Sequence, residues 1–162
     1  MASLIIDRTT FYANQAIGTG TQALSLERVV YAQVSGSYFL VNMSLDAGAN
    51  LTNNGFAVGA SGLAGESSVL VMSNSWIDQG LGCGLLLNTV DAYLSGSTIS
   101  RNHCETPGAG MRVIDATVDA TASSLIDNVS PFASVVVDSG RLTLQSSTIV
   151  GNQATTLGEA GG

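Results

Sequence analysis

Short apolar stretches alternate with small polar residues along the whole chain. Typical stretches are Val69-Leu70-Val71, Val135-Val136-Val137 and Leu142-Thr143-Leu144, and Gly, Asn, Asp and Ser separate them. Stretches of this length and composition favour strands, and the small polar residues favour turns. No segment keeps a helical period of apolar residues over roughly ten residues or more. The pattern predicts an all-β chain of many short strands.

A six-residue phrase recurs six times and predicts how these strands are organised. It carries a hydroxyl residue first, a large apolar residue third, and Asn or Gly sixth. The copies end at Asn14, Asn42, Gly80, Asn102, Asn128 and Asn152, so that successive copies lie 28, 38, 22, 26 and 24 residues apart. Such a period suits one coil of a β-solenoid with about three short strands. We expect a right-handed parallel β-helix of about six rungs of 22–28 residues.

The sixth and third positions of the phrase have predictable structural roles. Asn and Gly tolerate a positive φ, so the sixth residue is predicted to be a turn residue in the left-handed region. Because stacked rungs lie about 4.8 Å apart, equivalent Asn side chains should form a ladder of hydrogen bonds. The third residues should stack inside the coil: Phe11, Phe39, Ile77, Ile99, Leu125 and Ile149. A structural role is favoured here over a role in ligand binding.

A second polar row is expected at the ends of other strands. Asn88, Asp115 and Asp138 follow apolar stretches, as Glu27 does after residues 24–26. One interpretation is that these side chains accept hydrogen bonds from turn N–H groups. The other is a stacked acidic row that binds a cation or a sugar. With Arg112 nearby, Asp115 and Asp138 could then be the remnant of a polysaccharide lyase or glycoside hydrolase site, which requires paired carboxylates.

The two cysteines follow consecutive copies of the phrase. Cys83 lies three residues after Gly80, and Cys104 lies two residues after Asn102, so stacking should make them neighbours at disulfide distance. A disulfide would indicate an oxidising, extracellular setting, and two unbridged thiols are the alternative. His103 is expected to be exposed or to pack in a turn, and a role as a general acid or base or as a metal ligand is disfavoured. With one His and two Cys, the sequence predicts no zinc site, no other metal and no cofactor.

Composition and charge restrict the class of partner. Only 10% of the 162 residues are charged, the net charge is −7, and all five basic residues are Arg. Such a chain neutralises few phosphates, so nucleic acid and anionic membranes are disfavoured. No apolar run is long enough to span a membrane, and the first residues are not expected to be a signal peptide. No membrane insertion is therefore expected.

The domain organisation follows from the repeat and from its one long interval. Residues 1–3 are predicted to be a cloned leader, and residues 4–162 a single β-helix domain excised from a longer protein. The 38-residue interval predicts a loop insertion near residues 43–55, which should be mobile. Alternatively, residues 51–54 are a degenerate copy of the phrase.

Two of the motifs resemble a known family. Phe11-Tyr12-Ala13-Asn14 and Phe39-Leu40-Val41-Asn42 resemble the F-x-x-N element of polymorphic outer-membrane-protein repeats. Gly82-Cys83-Gly84-Leu85 and Gly108-Ala109-Gly110-Met111 resemble degenerate forms of that family's G-G-A-I element. The resemblance covers most of the chain, although Ile or Leu replaces Phe in four copies and Gly80 replaces Asn. It implies a right-handed parallel β-helix in a bacterial secreted or surface protein, often adhesive, without catalytic residues.

These observations lead to three hypotheses of different kinds. The first is a non-enzymatic structural or adhesive segment of an extracellular or cell-surface protein, whose partner is a glycan or a host or neighbouring surface protein. The second is the lyase or hydrolase remnant described above. The third is a filament subunit that self-associates end to end, since the uncapped ends of a solenoid expose strand edges.

Overall fold

The chain folds into short strands joined by turns, without helices among the residues that the structure describes. A computed structural model describes residues 2–13, 15–16, 24–26, 29–40, 43–44, 54–59, 68–81 and 83–156. The first strands in chain order are β1 (Ala2–Asp7), β2 (Thr10–Tyr12), β3 (Gln15–Ala16), β4 (Leu24–Leu26), β5 (Val29–Ser35), β6 (Tyr38–Leu40) and β7 (Met43–Ser44). The next are β8 (Asn54–Gly59), β9 (Ser68–Ser73), β10 (Trp76–Asp78), β11 (Cys83–Asn88), β12 (Val90–Ser95), β13 (Thr98–Ser100) and β14 (Met111–Ile114). The last are β15 (Thr117–Thr121), β16 (Ser124–Ile126), β17 (Val129–Ser130), β18 (Val135–Asp138), β19 (Arg141–Gln145), β20 (Thr148–Val150) and β21 (Gln153–Ala154).

The strands stack into three main parallel sheets that run along the coil. Sheet I has the order β1-β5-β9-β12-β15-β19, sheet II the order β2-β6-β10-β13-β16-β20, and sheet III the order β4-β8-β11-β14-β18. Two short pairs, β3-β7 and β17-β21, lie beside them. Because consecutive strands belong to different sheets and each strand pairs with its counterpart one repeat away, the fold is a parallel β-solenoid. The five strands of sheet III mark about four turns.

The interior is filled by columns of apolar side chains from the inner faces of the three sheets. The third residues of the phrase stand in register, as Phe39, Ile77, Ile99 and Leu125 do on successive strands of sheet II. All four are buried, as predicted. Phe11 is half-buried, and its ring stacks on that of Phe39 with centroids 4.7 Å apart.

Ile149 is the exception to the predicted interior column. It lies on β20, the last described strand of sheet II, and is 41% exposed. The pattern placed it inside correctly, since it pairs in register with Leu125. Its exposure arises because no strand of the described chain covers that side of β20.

The left-handed turn residues lie one position before the predicted ones. Positive φ angles occur at Ala13, Gln79, Arg101, Asp127 and Gly151, each immediately before the sixth residue of the phrase. Gly80, Asn102, Asn128 and Asn152 themselves do not have a positive φ, so this prediction was wrong for them. The turn is made one residue earlier, and the Asn side chain then points inward, where it bonds to neighbouring rungs. Asn14 and Asn42 lie outside the described residues.

The predicted insertion near residues 43–55 lies mostly outside the described residues, and so does its alternative over residues 51–54. Only its two ends are described: β7, and the start of β8. Residues 60–67 separate β8 from β9, whereas Thr89 alone separates β11 from β12 in the next turn. The 38-residue interval exceeds the next one, of 22, by 16 residues: seven of them lie between β8 and β9, and the other nine precede β8, within the predicted insertion.

Candidate functional site

The Asn side chains form a continuous ladder in the second half of the coil. Asn102 Nδ2 donates to Asn128 Oδ1 and Asn128 Nδ2 donates to Asn152 Oδ1, both at 3.0 Å. Each Oδ1 also accepts the backbone N–H of the preceding rung's ladder residue, beginning with Gly80 N–H at 3.0 Å. Each Nδ2 donates to a backbone carbonyl as well: Ile77 O, Ile99 O and Leu125 O. These amides therefore have internal partners, which suits a structural role.

Two glycines of sheet III permit this ladder to pack closely. Gly84 and Gly110 align in register immediately before β11 residue Leu85 and β14 residue Met111. A Cβ on Gly84 would lie 2.5 Å from Gly110 O, and one on Gly110 would lie 2.9 Å from Asn128 Nδ2. Gly84 and Gly110 thus leave room for the amides of Asn102 and Asn128.

A second ladder, of hydroxyl groups, was not predicted from the sequence. From Thr9 onward, the backbone N–H of the first residue in each phrase donates to the side-chain hydroxyl of the first residue in the next copy. The distances from nitrogen to oxygen are 3.1–3.3 Å. The pairs are Thr9 to Ser37, Ser37 to Ser75, Ser75 to Ser97, Ser97 to Ser123 and Ser123 to Ser147. Each of these hydroxyls donates to the carbonyl two residues earlier, as Ser97 does to Ser95 O. The signal was present in the phrase, since its first residue always bears a hydroxyl.

Cys83 and Cys104 form a disulfide in the structure, with their Cα atoms 4.8 Å apart. Both are buried, and together with Ala109 they form a small core beside the main one. The Thr106 hydroxyl lies 3.3 Å from Cys83 Sγ and 3.1 Å from Cys104 Sγ. The bridge ties the segment after β13 to the preceding turn.

The predicted acidic row is wrong in its register. Asn88 pairs with Ile114, and Ile114 pairs with Asp138, so an apolar residue occupies the middle of that column. Asp115 lies one position later, in a turn with φ of 46°. Its backbone N–H donates to the carbonyl of Asp138 at 3.0 Å. Asn88, Asp115 and Asp138 are all exposed, Glu27 lies outside the described residues, and the three carboxylate and amide groups do not form one stacked site.

In the described part of the chain, Arg112 forms no ion pair with Asp115 or Asp138. It stands in register with Leu86 and Val136, is half-buried, and its Nε is buried without a hydrogen-bond partner. In this register Asp115 and Asp138 are neighbours on adjacent turns but do not occupy one column of paired residues. His103 is exposed and bridges to Val129 by its backbone. Among the described residues, no group of three or more His, Cys, Asp and Glu could hold a metal ion.

A buried carboxylate that the sequence did not reveal lies on sheet II. Asp78 accepts hydrogen bonds from Ser100 Oγ at 2.8 Å and Arg101 Nε at 2.9 Å, and it is paired with a second Arg101 nitrogen. The hydrogen bond and the charge of Asp78 raise the pKa of Arg101 above its ordinary value, and Asp127 adds to this effect. Because the Asp78 charge is neutralised within the coil, this pair is a structural contact between turns.

One exposed surface with aromatic and apolar side chains is the outer side of sheet I, over its first four strands. We call it the outer face. It consists of Ile5, Tyr31, Gln33, Val69, Val71 and Tyr93. Ile5 is 68% and Tyr93 50% exposed. Tyr31 and Tyr93 lie two strands apart, which places them about 10 Å apart along the coil axis.

Polar groups border this outer face. Tyr31 Oη donates to Gln33 Oε1 at 3.3 Å. Asp91 of β12 pairs with Val69 of β9, and Asp119 of β15 pairs with Tyr93 of β12. Exposed apolar side chains with a polar border are typical of interaction surfaces. Sequence analysis missed this surface because the outward residues of each strand belong to no repeated motif.

Comparisons with known proteins gave no relative: no protein-family model, no curated protein and no solved structure matches the chain. Within the described residues, no helix is long and apolar enough to cross a membrane. The function proposed below rests on the geometry of the coil and its surfaces.

Proposed function

We propose that this chain is a non-enzymatic structural and adhesive segment of a bacterial secreted or cell-surface protein, related to the polymorphic outer-membrane-protein repeats. In this proposal it is a right-handed parallel β-helix of six rungs, and its outer face binds a neutral glycan. The observation that carries the proposal is the exposed aromatic and apolar outer face on a coil whose ladder Asn and Ser side chains are hydrogen-bonded to neighbouring turns.

The hydrogen-bond ladders support the structural part of this proposal. Asn and Ser side chains link successive turns on two sides of the coil, and the Cys83–Cys104 disulfide adds a covalent link. Interactions that repeat from turn to turn give a solenoid a fixed spacing along its axis. The disulfide also supports an extracellular location, where such bonds persist. A right-handed coil agrees with the handedness that parallel crossover connections prefer.

The composition of the outer face supports a glycan as the partner. Tyr rings combine apolar area with a polar hydroxyl, and the amide of Gln33 and the nearby carboxylates supply acceptors for sugar hydroxyls. The chain has a net charge of −7, and Asp91 and Asp119 border this face. Because like charges repel, a neutral glycan is favoured over an acidic one.

The test is binding of the purified chain to immobilised neutral and acidic polysaccharides and to a panel of surface proteins. We expect binding to at least one neutral glycan, and Tyr93→Ser should weaken it at least about tenfold, because exposed aromatic anchors carry much of the energy of such contacts. Tyr12→Ser is the matched control, since Tyr12 is 66% exposed but lies on sheet II.

Three outcomes would contradict the proposal. Equal loss of binding in both Tyr variants would mean that the outer face is not the binding surface. Binding to a surface protein alone would replace the glycan by a protein partner. Release of new reducing ends from a bound polysaccharide would favour the lyase or hydrolase alternative instead.

A further inference from the structure

The outer side of sheet II changes from large rings to short side chains in the middle of the coil. One outward column of paired residues contains, in order, Thr10, Tyr38, Trp76, Thr98, Ser124 and Thr148. Tyr38 and Trp76 stack with their ring centroids 4.9 Å apart and an interplanar angle of 6°. Because this distance is close to the spacing of adjacent strands, the two rings stack along the coil axis. The indole of Trp76 therefore has one face on Tyr38 and the other above Thr98.

The second face of the indole borders a notch in the surface. Trp76 is half-buried, and the structure gives it no ring partner other than Tyr38 within the residues that it describes. Thr98 and Ser124 continue the column, and their side chains are too short to cover an indole. We call this space the indole notch: Trp76 forms its wall, and Thr98 and Ser124 form its floor. It lies on β10, β13 and β16, which are inner strands of sheet II.

Three polar side-chain atoms at the indole notch have no hydrogen-bond partner in the described part of the chain. They are Trp76 Nε1, Thr98 Oγ1 and Ser124 Oγ. Solvent reaches all three, because none of them is a buried atom. By contrast, the adjacent residues Ser97 and Ser123 use their hydroxyls in the ladder inside the coil. The hydroxyls of the floor are therefore available to a ligand.

An ion pair borders the indole notch on one side. Asp78 comes two residues after Trp76 on β10, so it faces the same side of the sheet about 7 Å away. Arg101 pairs with Asp78 while its own side chain stays 56% exposed. The two charges offset each other, and Asp127 adds a further negative charge near Arg101. Because like charges repel, these surroundings favour a neutral ligand over an acidic one.

We propose that the indole notch binds one pyranose ring of a neutral sugar. The C–H groups on one face of the ring pack on the free face of Trp76, and the sugar hydroxyls bond to Thr98 and Ser124. Hydroxyl groups suit this floor because each of them both donates and accepts a hydrogen bond. An aromatic side chain of a partner protein would stack on the indole as well. It would, however, cover the Thr98 and Ser124 hydroxyls without replacing their hydrogen bonds to water, which is unfavourable.

Fluorescence of the unmodified chain tests this site directly, because Trp76 is the one tryptophan in the sequence. The chain is titrated with the methyl glycosides of glucose, galactose and mannose, and with N-acetyltyrosinamide as an aromatic probe. We expect a saturable shift of the tryptophan emission with at least one glycoside, at a lower concentration than any shift caused by the aromatic probe. No saturable shift with any glycoside, or saturation by the aromatic probe at the lower concentration, would overturn the proposal.

Two substitutions of Thr98 test the floor of the notch. Thr98→Phe fills the space in front of the indole and should abolish the shift caused by the glycoside. Thr98→Val keeps the shape and removes the hydroxyl, so it should weaken binding about three- to tenfold. Thr117→Val is the matched control, since Thr117 is also half-buried and faces outward, but on sheet I. Retained binding in Thr98→Phe, or equal weakening in Thr98→Val and Thr117→Val, would overturn the proposal.

The indole notch does not rest on the proposed binding role of the outer face, because the two lie on different sheets. Tyr93→Ser, which should weaken binding at the outer face, should leave the fluorescence titration of Trp76 unchanged. The two proposals can therefore fail separately. A weaker glycoside titration in Tyr93→Ser would place the sugar on the outer face instead of the indole notch.

Discussion

Ile99 and Ile149 occupy the same position of the same repeated phrase, but their surroundings differ. Ile99 lies in the middle of sheet II and is 3% exposed, whereas Ile149 lies on its last described strand and is 41% exposed. The ladder residues differ in the same way, since Asn128 is fully buried and Asn152 is only half-buried. In a solenoid the sequence pattern determines where a side chain points, and the neighbouring rungs determine how much its contacts contribute.

The largest expected effect contrasts the two isoleucines directly. Ile99→Ala removes a side chain packed on all sides and should lower the free energy of unfolding by about 2–5 kcal/mol. Ile149→Ala should lower it by roughly 1 kcal/mol or less, because much of that side chain is already in water. Urea unfolding at low protein concentration, with the disulfide intact, measures both values. Equal losses in the two variants would contradict this contrast, because they would show that Ile149 is as well covered in solution as Ile99.

The Asn ladder gives the second contrast. Asn128→Ala removes the acceptor of the Asn102 N–H and leaves the carbonyl of Ile99 without its side-chain donor. Unsatisfied buried groups of this kind should lower the free energy of unfolding by roughly 2–4 kcal/mol. Asn152→Ala affects only the half-buried end of the ladder and should lower it by about 1 kcal/mol.

Thermal and urea unfolding of both Asn variants would check this contrast. Hydrogen exchange adds a local measurement, since the Asn102 amide should lose protection in Asn128→Ala, while the Gly80 amide, bonded to Asn102 Oδ1, should keep more of it. Equal stability of Asn128→Ala and the unmodified chain would mean that water replaces the amide without cost.

The repeat made the solenoid and its interior predictable from the sequence. A period of 22–28 residues and an apolar residue at a fixed position identify the coil and the column that fills it, as Ile77 and Leu125 show. The third position could be assigned because apolar burial dominates there. The proximity of Cys83 and Cys104 followed from the same stacking.

Register and turn geometry could not be derived in the same way. The acidic row is predicted from the first polar residue after each apolar stretch. This rule aligns Asp115 with Asn88, whereas in the structure Asn88 pairs with Ile114. A shift of one residue turns a side chain to the other face of a strand, so such a rule is too coarse. For the turn, the tolerance of Asn for a positive φ predicted that the sixth residue of the phrase is the left-handed one. Bonding of the Asn128 amide inside the coil instead places the left-handed residue at Asp127.

The smallest expected effect concerns charge at the first rung, where a polar contact is exposed. Ser35 Oγ donates to Asp7 Oδ1 at 2.5 Å, and Arg8 Nε donates to Asp7 Oδ2 at 2.8 Å. The hydrogen bond from Ser35, and then that from Arg8, lower the pKa of Asp7 below its ordinary value of 3.8. The pKa of Asp7 is lower in the folded chain than in the unfolded chain. This contact therefore stabilises the fold fully at pH values above the ordinary pKa of Asp7. Its contribution is lost as the pH falls through the lowered pKa.

Ser35→Ala should therefore raise the pKa of Asp7 toward its ordinary value, with little change in stability at neutral pH because the contact is exposed. Carbon-detected NMR titration of the Asp7 carboxyl measures the shift. Ser95→Ala is the matched control, since Ser95 stands in the same outward column but two strands away from Ser35. An unchanged Asp7 titration in Ser35→Ala would assign the low pKa to Arg8. A change in both variants would mean that the column responds as a unit, so that the first rung is coupled to the middle of the coil as closely as the buried ladders are.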